Sequence, residues 1–404
     1  MSLAAPAIVA DGLPPVRLLP GRARRVVAGP PWIFANEIDM ARAKGRVEPG
    51  SLVLLEDDNG RALGIATFNP HPLITARLLT RDAGATIDAA FFAARLARAL
   101  AVREALYALP YYRLAHAEAD GLPGAIIDRF GDTVVLQLNT AGMERLADTL
   151  VAALDRVVAP RTIVLRNDTA VRELEGLDQH VRVLRGDSGG AIEVRENGCT
   201  FFADVAGGQK TGWFYDQRDN RAFAASLARG RRVADFYTYA GGFAVAAAAG
   251  GAAQVDAFDR SQPALDLAGR AAAASGVGGC VALHRAETFS MLERLGHDSE
   301  RYGLVIVDPP AFVKSKKDFH AGVRGYRKLA RLAAAIVEPG GFLLAASCSH
   351  HVDVETFTDQ VRRGLADARR DGRILRSAGA APDHPVHPYL PESAYLKALV
   401  LQLD

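Results

Sequence analysis

The chain has 404 residues, 49% of them hydrophobic and 23% charged, with 48 Lys and Arg against 46 Asp and Glu for a formal net charge of +2. That length exceeds one ordinary core and suits two or three domains, and the composition excludes a disordered or low-complexity chain. A net charge this small argues neither for nor against nucleic acid, so local clusters have to carry that signal.

The three cysteines, Cys199, Cys280 and Cys348, form no C-x-x-C pair. Neither a disulfide framework nor a zinc site is indicated, and a reducing cytoplasm fits. The N-terminal MSLAAPAIVADGLPP lacks a basic start and makes a poor signal peptide. The most apolar run, 240–253, is mostly Ala and Gly and falls short of the roughly 18 residues of a membrane span. A soluble protein with no membrane partner is expected.

From 51 to 79, the runs SLVLLED, ALGIATF and LITARLL are separated by Asp58-Asn59-Gly60 and Asn69-Pro70. They predict a small antiparallel β-module ending near Thr80. Residues 88–106 predict a helix capped by Asp88. The strands AIIDRF, TVVLQLN and TIVLRN follow, with a second helix over 143–157, which makes a middle α+β segment. In AIEVRENGCTFFADV, Asn197-Gly198 between two alternating stretches signals a hairpin. From 231 the pattern changes to apolar strands alternating with helices: RRVADFY, QVDAFD, CVALHR, LVIVD and FLLAAS, with helices over 261–274 and 326–337. That is a parallel sheet with helical crossovers. RILRS and LKALVLQL, around a Pro- and His-rich loop, suit an antiparallel hairpin on the sheet edge. The expected fold class is α/β, a C-terminal doubly wound Rossmann-like sheet preceded by a small β-rich domain and a middle α+β domain, with boundaries at 1–80, 81–190 and 191–404.

In a doubly wound sheet, ligands bind outside the carboxyl ends of the strands, and four strand ends carry telling residues. The first runs from Asp235 through Tyr239 to Gly241, Gly242 and Phe243 before a helix of small residues; a glycine turn there lets backbone approach a ligand at a helix N-terminus. The second ends at Asp259-Arg260-Ser261, where an acid can take ribose hydroxyls or serve as a helix N-cap. Glu287 follows the third strand, placed for an adenine amino group. The fourth ends Asp308-Pro309-Pro310-Ala311-Phe312, a rigid carbonyl-rich edge able to hold a base or exocyclic amine while an aromatic ring stacks on it. Next, Lys314, Lys316, Lys317, Arg324, Arg327, Lys328 and Arg331 face one acid, Asp318, a basic run where a phosphate backbone would lie. A fifth strand ends at Cys348, within reach of that edge, followed by His350-His351, a weak metal signal. Methylating carbon 5 of a pyrimidine needs a nucleophile at carbon 6, which a cysteine can supply.

These motifs, in a doubly wound sheet with a terminal reversed hairpin typical of class I methyltransferases, resemble the RlmI-like family of bacterial 23S rRNA 5-methylcytidine methyltransferases. The resemblance runs from Trp32-Ile33-Phe34 through nearly the whole chain. Its most specific stretch is Gly208-Gln-Lys-Thr-Gly-Trp-Phe-Tyr-Asp-Gln-Arg-Asp-Asn-Arg221, joined by 118–124, 383–385 and Tyr395-Leu396-Lys397. It implies a PUA-like RNA-binding domain over 1–80 and S-adenosyl-L-methionine as cofactor. Contacts to that cofactor would come from Lys210, Thr211, Asp216, Arg218, Tyr239, Gly241, Gly242, Phe243, Asp259, Ser261, Glu287 and Asp308. It implies Cys348 as nucleophile and Asp308 as holder of the base edge and helper in proton movement, with Pro309, Pro310, Phe312, Lys314, Lys316 and Lys317 against the substrate. The partner would be RNA, 23S rRNA in particular, with a homodimer left open, in the cytoplasm. The sequence departs from many RNA 5-methylcytidine enzymes in having Ala311 where they carry a second cysteine, and it has Tyr237 and Tyr239 at the first two glycine positions of an E-x-G-x-G-x-G pattern. Two other readings compete: an rRNA amine or guanine methyltransferase using the Asp308-Pro309-Pro310 loop with Cys348 a bystander, and a small-molecule methyltransferase.

Overall fold

Alternating strands and Asp-Asn-Gly chemistry build the first sheet. In the computed structural model, which describes residues 12–404, Asp57 accepts hydrogen bonds from the backbone N–H groups of Asn59 and Arg61, closing the turn. The reading of the N-terminal stretch falls largely on residues 1–11, outside the described residues. The sheet has five strands in the order Pro15–Arg17, Ser51–Glu56, Ala62–Phe68, Ile74–Thr80, Trp32–Phe34. Only the first pair is parallel.

A second five-stranded sheet runs in the order His180–Arg185, Thr162–Asn167, Thr133–Leu138, Ala125–Phe130, Tyr111–His116. It is covered by helices Ala89–Leu106, which Asp88 caps by accepting from Phe91 N, and Ala147–Val157. The helix expected over 143–157 is instead two, Ala141–Arg145 and Ala147–Val157, broken at Leu146. Glu144 of the first is tied down by Asn167 and Arg172, whereas the second lays Leu150, Ala153 and Leu154 into the core. A single straight helix could not satisfy both. Ile65 and Leu79 of the first sheet share a core with Phe92, Leu96 and Leu136, so the two sheets belong to one compact unit. That unit also takes in Asp204–Trp213 and Asp383–Pro391. Thr211 donates to Asp128 (2.6 Å), which Arg113 grips with two nitrogens. Asp383 accepts from Arg113 N (2.9 Å).

The second unit comprises Ala191–Ala203, Phe214–Pro382 and Glu392–Asp404. The Asn-Gly hairpin forms as expected between Ile192–Glu196 and Cys199–Ala203, with Asn197 at φ 52° and Gly198 at φ 79°. The main sheet has strands β1 (Arg232–Phe236), β2 (Gln254–Asp259), β3 (Val281–Arg285), β4 (Tyr302–Val307), β5 (Val337–Ser347), β6 (Gly372–Ala378) and β7 (Lys397–Leu403). Their order is β3-β2-β1-β4-β5-β7-β6, with β1 to β5 parallel and β7 antiparallel to both neighbours. Six helices accompany it: α1 (Arg218–Ala228), α2 (Gly242–Ala249), α3 (Gln262–Ala274), α4 (Thr288–His297), α5 (Phe319–Ala335) and α6 (Val354–Asp367). α5 begins seven residues before the expected start, because Ser315 and Asp318 form a reciprocal capping box ahead of it. Its basic residues mark a solvated face of the helix rather than a loop.

The hairpin is fastened to α1 by a buried ion cluster. Glu196 accepts from Arg221 at 2.6 and 2.9 Å and lies 3.4 Å from Arg218, with all three side chains at least nine-tenths buried. Removing the carboxylate leaves two buried cations without their anion. Glu196→Ala should therefore cost about 3–5 kcal/mol of stability, read from urea unfolding; a loss under about 1 kcal/mol would mean the cluster is dispensable.

Candidate active site

The turn after β1 is built around a carboxyl group sealed from the surface. Asp235 is fully buried. One oxygen accepts from Thr238 Oγ (2.6 Å) and from Ala244 N (2.9 Å) at the start of α2, and Oδ1 has no hydrogen-bond partner among the described residues. Burial, with the charges of Asp308 and Asp259 adding to it, pushes its carboxyl up to about 7. The turn that it holds is strained. Tyr237 and Tyr239 adopt φ of 63° and 50°, a region that costs a side-chain-bearing residue about 1–3 kcal/mol. They stand where the general pattern has glycine. Gly241, at φ 82°, caps α2, and a Cβ there would sit 2.9 Å from that of Ala268.

Asp259, at the end of β2, accepts from Tyr239 N on one oxygen and from Ser261 N on the other, both at 2.9 Å. It is not the helix N-cap; Ser261 caps α3 by accepting from Ala264 N. Glu287 caps α4, accepting from the backbone and hydroxyl of Ser290, and it is exposed. Asp216 accepts from Tyr395 Oη (2.5 Å). Gln217, which the sequence reading passed over, donates to Asp308 Oδ2 (2.9 Å) while accepting from Asn220 (2.7 Å). Its signal lay in its position, between two residues already singled out.

The end of β4 and the end of β5 meet. Cys348 is half-buried with its Sγ 3.9 Å from Pro309 O. Val313 N donates to Ser349 Oγ (3.1 Å), which hydrogen-bonds Tyr326 Oη of α5 (2.8 Å). The Phe312 ring lies between Tyr326 and Phe289 at centroid distances of 4.7 and 6.1 Å. α5 approaches so closely that a Cβ on Gly322 would fall 2.6 Å from Phe312 O. Lys397 is buried on β7, its Nζ donating to Ser349 O (2.6 Å) and Tyr395 O (2.7 Å).

The second unit thus gathers Asp216, Tyr239, Gly241, Gly242, Phe243, Asp259, Ser261, Glu287, Asp308, Pro309, Pro310, Phe312 and Cys348 at or near the carboxyl edge of one sheet. Arg218 belongs to the same unit, but its head is engaged with Glu196. Lys210 and Thr211 fall in the first unit, where Thr211 is buried on Asp128 and Lys210 is exposed. Of the basic run, Arg327 pairs with Asp367 and Lys328 with Glu293. Lys314, Lys316 and Lys317 are exposed at the head of α5. Among the described residues no three His, Cys, Asp or Glu side chains cluster to hold a metal; His350 stacks on Tyr395. No described helix is long and apolar enough to cross a membrane.

A glycine turn with no room for a side chain, leading into a helix N-terminus, beside an acid at the end of the next strand, suits a nucleoside ligand. The orphaned oxygen of Asp235 beneath that turn is in keeping with a site held in shape for binding. The comparisons agree. The pattern of the S-adenosylmethionine-dependent methyltransferases matches residues 158–401, and that of a PUA-like domain matches 16–81. Two solved structures share the fold: an S-adenosylmethionine-dependent methyltransferase from Streptococcus mutans (TM-score 0.80, 20% identity) and a methyltransferase complexed with SAH (TM-score 0.82, 21% identity). Each is covered over 100% of its length by 96% of this chain. Fold and site define a class I methyltransferase that uses S-adenosylmethionine.

Closer relatives narrow the class. The ribosomal RNA large subunit methyltransferase I of Erwinia tasmaniensis is 36% identical over 96% of this chain and 98% of its own. That of Photobacterium profundum is 38% identical over 95% and 97%. The chain belongs to the family of S-adenosylmethionine-dependent methyltransferases that these proteins represent.

Asp235 carries a pH signature. Its folded-state value, about 7, lies above the unfolded 3.8, so the folded state holds the extra proton between them. The stability this group lends is fully present below about pH 4 and is lost as pH rises through 7. Asp235→Asn, which keeps an acceptor for Ala244 N, should abolish that component, so the variant's stability relative to wild type should rise between pH 5 and 8 in urea titrations. A pH-independent difference would show that Asp235 stays charged.

Proposed function

We propose that this protein methylates carbon 5 of a cytidine in large-subunit, 23S ribosomal RNA, acting in the cytoplasm through a covalent adduct with Cys348. The observation that carries this reading is the meeting of Cys348 with the Asp308-Pro309-Pro310 edge, Sγ to Pro309 O at 3.9 Å. Two strand ends then offer a nucleophile and a base-holding acid on one side of the site. The names of the relatives supply the ribosomal RNA, and the PUA-like module and the exposed Lys314, Lys316 and Lys317 suit a phosphate backbone.

When bound, S-adenosylmethionine supplies a methyl group on a sulfonium, an electrophile. Asp259 and the turn from Tyr239 to Phe243 would hold its nucleoside and methionine portions, with Ser261 fixing the start of α3. Asp308, steadied by Gln217, holds the base edge. The Cys348 thiolate adds to carbon 6, which moves the ring π pair toward carbon 5 and makes that carbon nucleophilic. After methylation the carbon 5 proton leaves to water, the electron pair re-forms the ring double bond, and the sulfur departs as thiolate. Phe312, in its stack with Phe289 and Tyr326, gives the base an aromatic wall.

Three measurements test the reading. Asp259→Ala should weaken S-adenosylmethionine binding by about 1–3 kcal/mol, the scale of lost charge-assisted hydrogen bonds, in calorimetry; undiminished affinity would remove Asp259 from the site. Cys348→Ala should abolish methylation while leaving cofactor affinity nearly unchanged. RNA with 5-fluorocytidine at the target should trap wild type in a complex that survives denaturation, because fluorine blocks the proton loss that frees the enzyme. Methylation by Cys348→Ala at a comparable rate would make the cysteine a bystander and give precedence to the amine or guanine reading.

A further inference from the structure

β7 runs against β5, and its first residue, Lys397, pairs in register with Ser347, the last residue of β5. The reversed strand therefore carries a lysine to the strand end that bears Cys348. Burying an ammonium is unfavourable unless something demands the charge, and no carboxylate lies within 4 Å of this one among the described residues. Two of its three N–H donors are committed to the carbonyls of Ser349 and Tyr395. Two carbonyl oxygens fix the head without neutralising it, so its positive field extends to what stands beside it. Nζ is fixed 2.6 Å from the carbonyl of Ser349, the residue directly after Cys348, while the strand pairing sets Lys397 opposite Ser347, the residue directly before it.

We propose that Lys397 is a positioning residue for the methyl transfer, its fixed ammonium stabilising the thiolate of Cys348. This rests on the reading of Cys348 as nucleophile. The thiol proton leaves to solvent water, the electron pair stays on sulfur, and Lys397 keeps its own proton throughout. The same charge then favours departure of the sulfur as thiolate, a step for which Ala311 offers no second cysteine. Other titratable groups face the pair from every neighbouring element. Asp353, at the head of α6, is itself held low by hydrogen bonds from Thr356. Tyr326 reaches in from α5 and is pushed up by burial. Asp308 ends β4, while Asp216 and His350 stand against Tyr395. Burial brings the lysine itself down to about 8. It is charged at neutral pH and loses its influence above that value.

The test uses the full chain without cofactor, so it does not depend on turnover. Iodoacetamide labelling of Cys348, followed by peptide mass spectrometry to separate it from Cys199 and Cys280, gives the thiol's titration midpoint between pH 5 and 10. Wild type should titrate below the roughly 8.5 of an ordinary thiol. Lys397→Gln should raise the midpoint by at least about one unit and slow labelling at pH 7 about tenfold. Lys397→Arg should recover most of that loss, and the pH profile of methylation should move with the midpoint. A wild-type midpoint at or above that of an ordinary thiol overturns the proposal whether or not any variant folds. So does an unshifted midpoint in a folded Lys397→Gln, with the nucleophile reading left standing. Methylation by Cys348→Ala would instead sink the nucleophile reading and leave the thiol titration as it was.

Discussion

The buried carboxylate of Asp235 is the constraint on which the glycine turn after β1 depends. A single oxygen holds Thr238 and the first turn of α2 together, and between those two anchors the chain passes through Tyr237 and Tyr239 in left-handed conformation. Neither residue would choose that backbone alone. Asp259 then catches the Tyr239 N–H from the neighbouring strand, so β1 and β2 jointly maintain a turn that ordinary sterics would relax. Strain of this kind persists where the surroundings over-determine it. Here those surroundings are the ends of two parallel strands.

The Asp308-Pro309-Pro310 edge is organised differently, by packing of α5 against the loop that follows β4. Gly322 lets the helix backbone close on Phe312 O, and Tyr326 reaches through Ser349 to Val313 N. One helix thereby sets the Phe312 ring and the segment around Cys348 at once. Its exposed face and preceding turn carry the basic residues, so a phosphate backbone lying there would touch the element that sets the Phe312 ring.

Much of this was legible because the chemistry is local. The Asn197-Gly198 hairpin, the cap at Asp88 and the five apolar strands are each written in a few consecutive residues, whereas the cap of α3 falls on Ser261, two residues past the acid expected to supply it. Elements that form only because a neighbour completes them were not legible. The edge strand His180–Arg185 is mostly exposed and has no buried face to give it a period. The strand Tyr111–His116 follows Pro110, and Arg113 and His116 interrupt its apolar run. The break at Leu146 answers to partners at Asn167 and Arg172, distant in sequence. In the candidate site, the motif residues singled out from the sequence stand at strand ends, whereas Gln217 and Lys397 were assigned no role. Gln217 matters through the carboxylate it meets, and Lys397 through a strand pairing that no run of residues announces.

The path of the chain has a consequence for how this protein is made. It crosses between the two units five times, at 190–191, 203–204, 213–214, 382–383 and 391–392. The first unit waits for Asp383–Pro391 to complete the network around Arg103 and Arg113, and the second waits for β7 to separate β5 from β6. Folding during synthesis ordinarily releases one finished domain before the next emerges. Here neither unit is complete until Asp383–Pro391 and β7 have been made. A translation product stopped short of Asp383 would hold the first unit's two sheets without the contacts of Asp383 to Arg103 and Arg113, and would leave β5 and β6 with no strand between them.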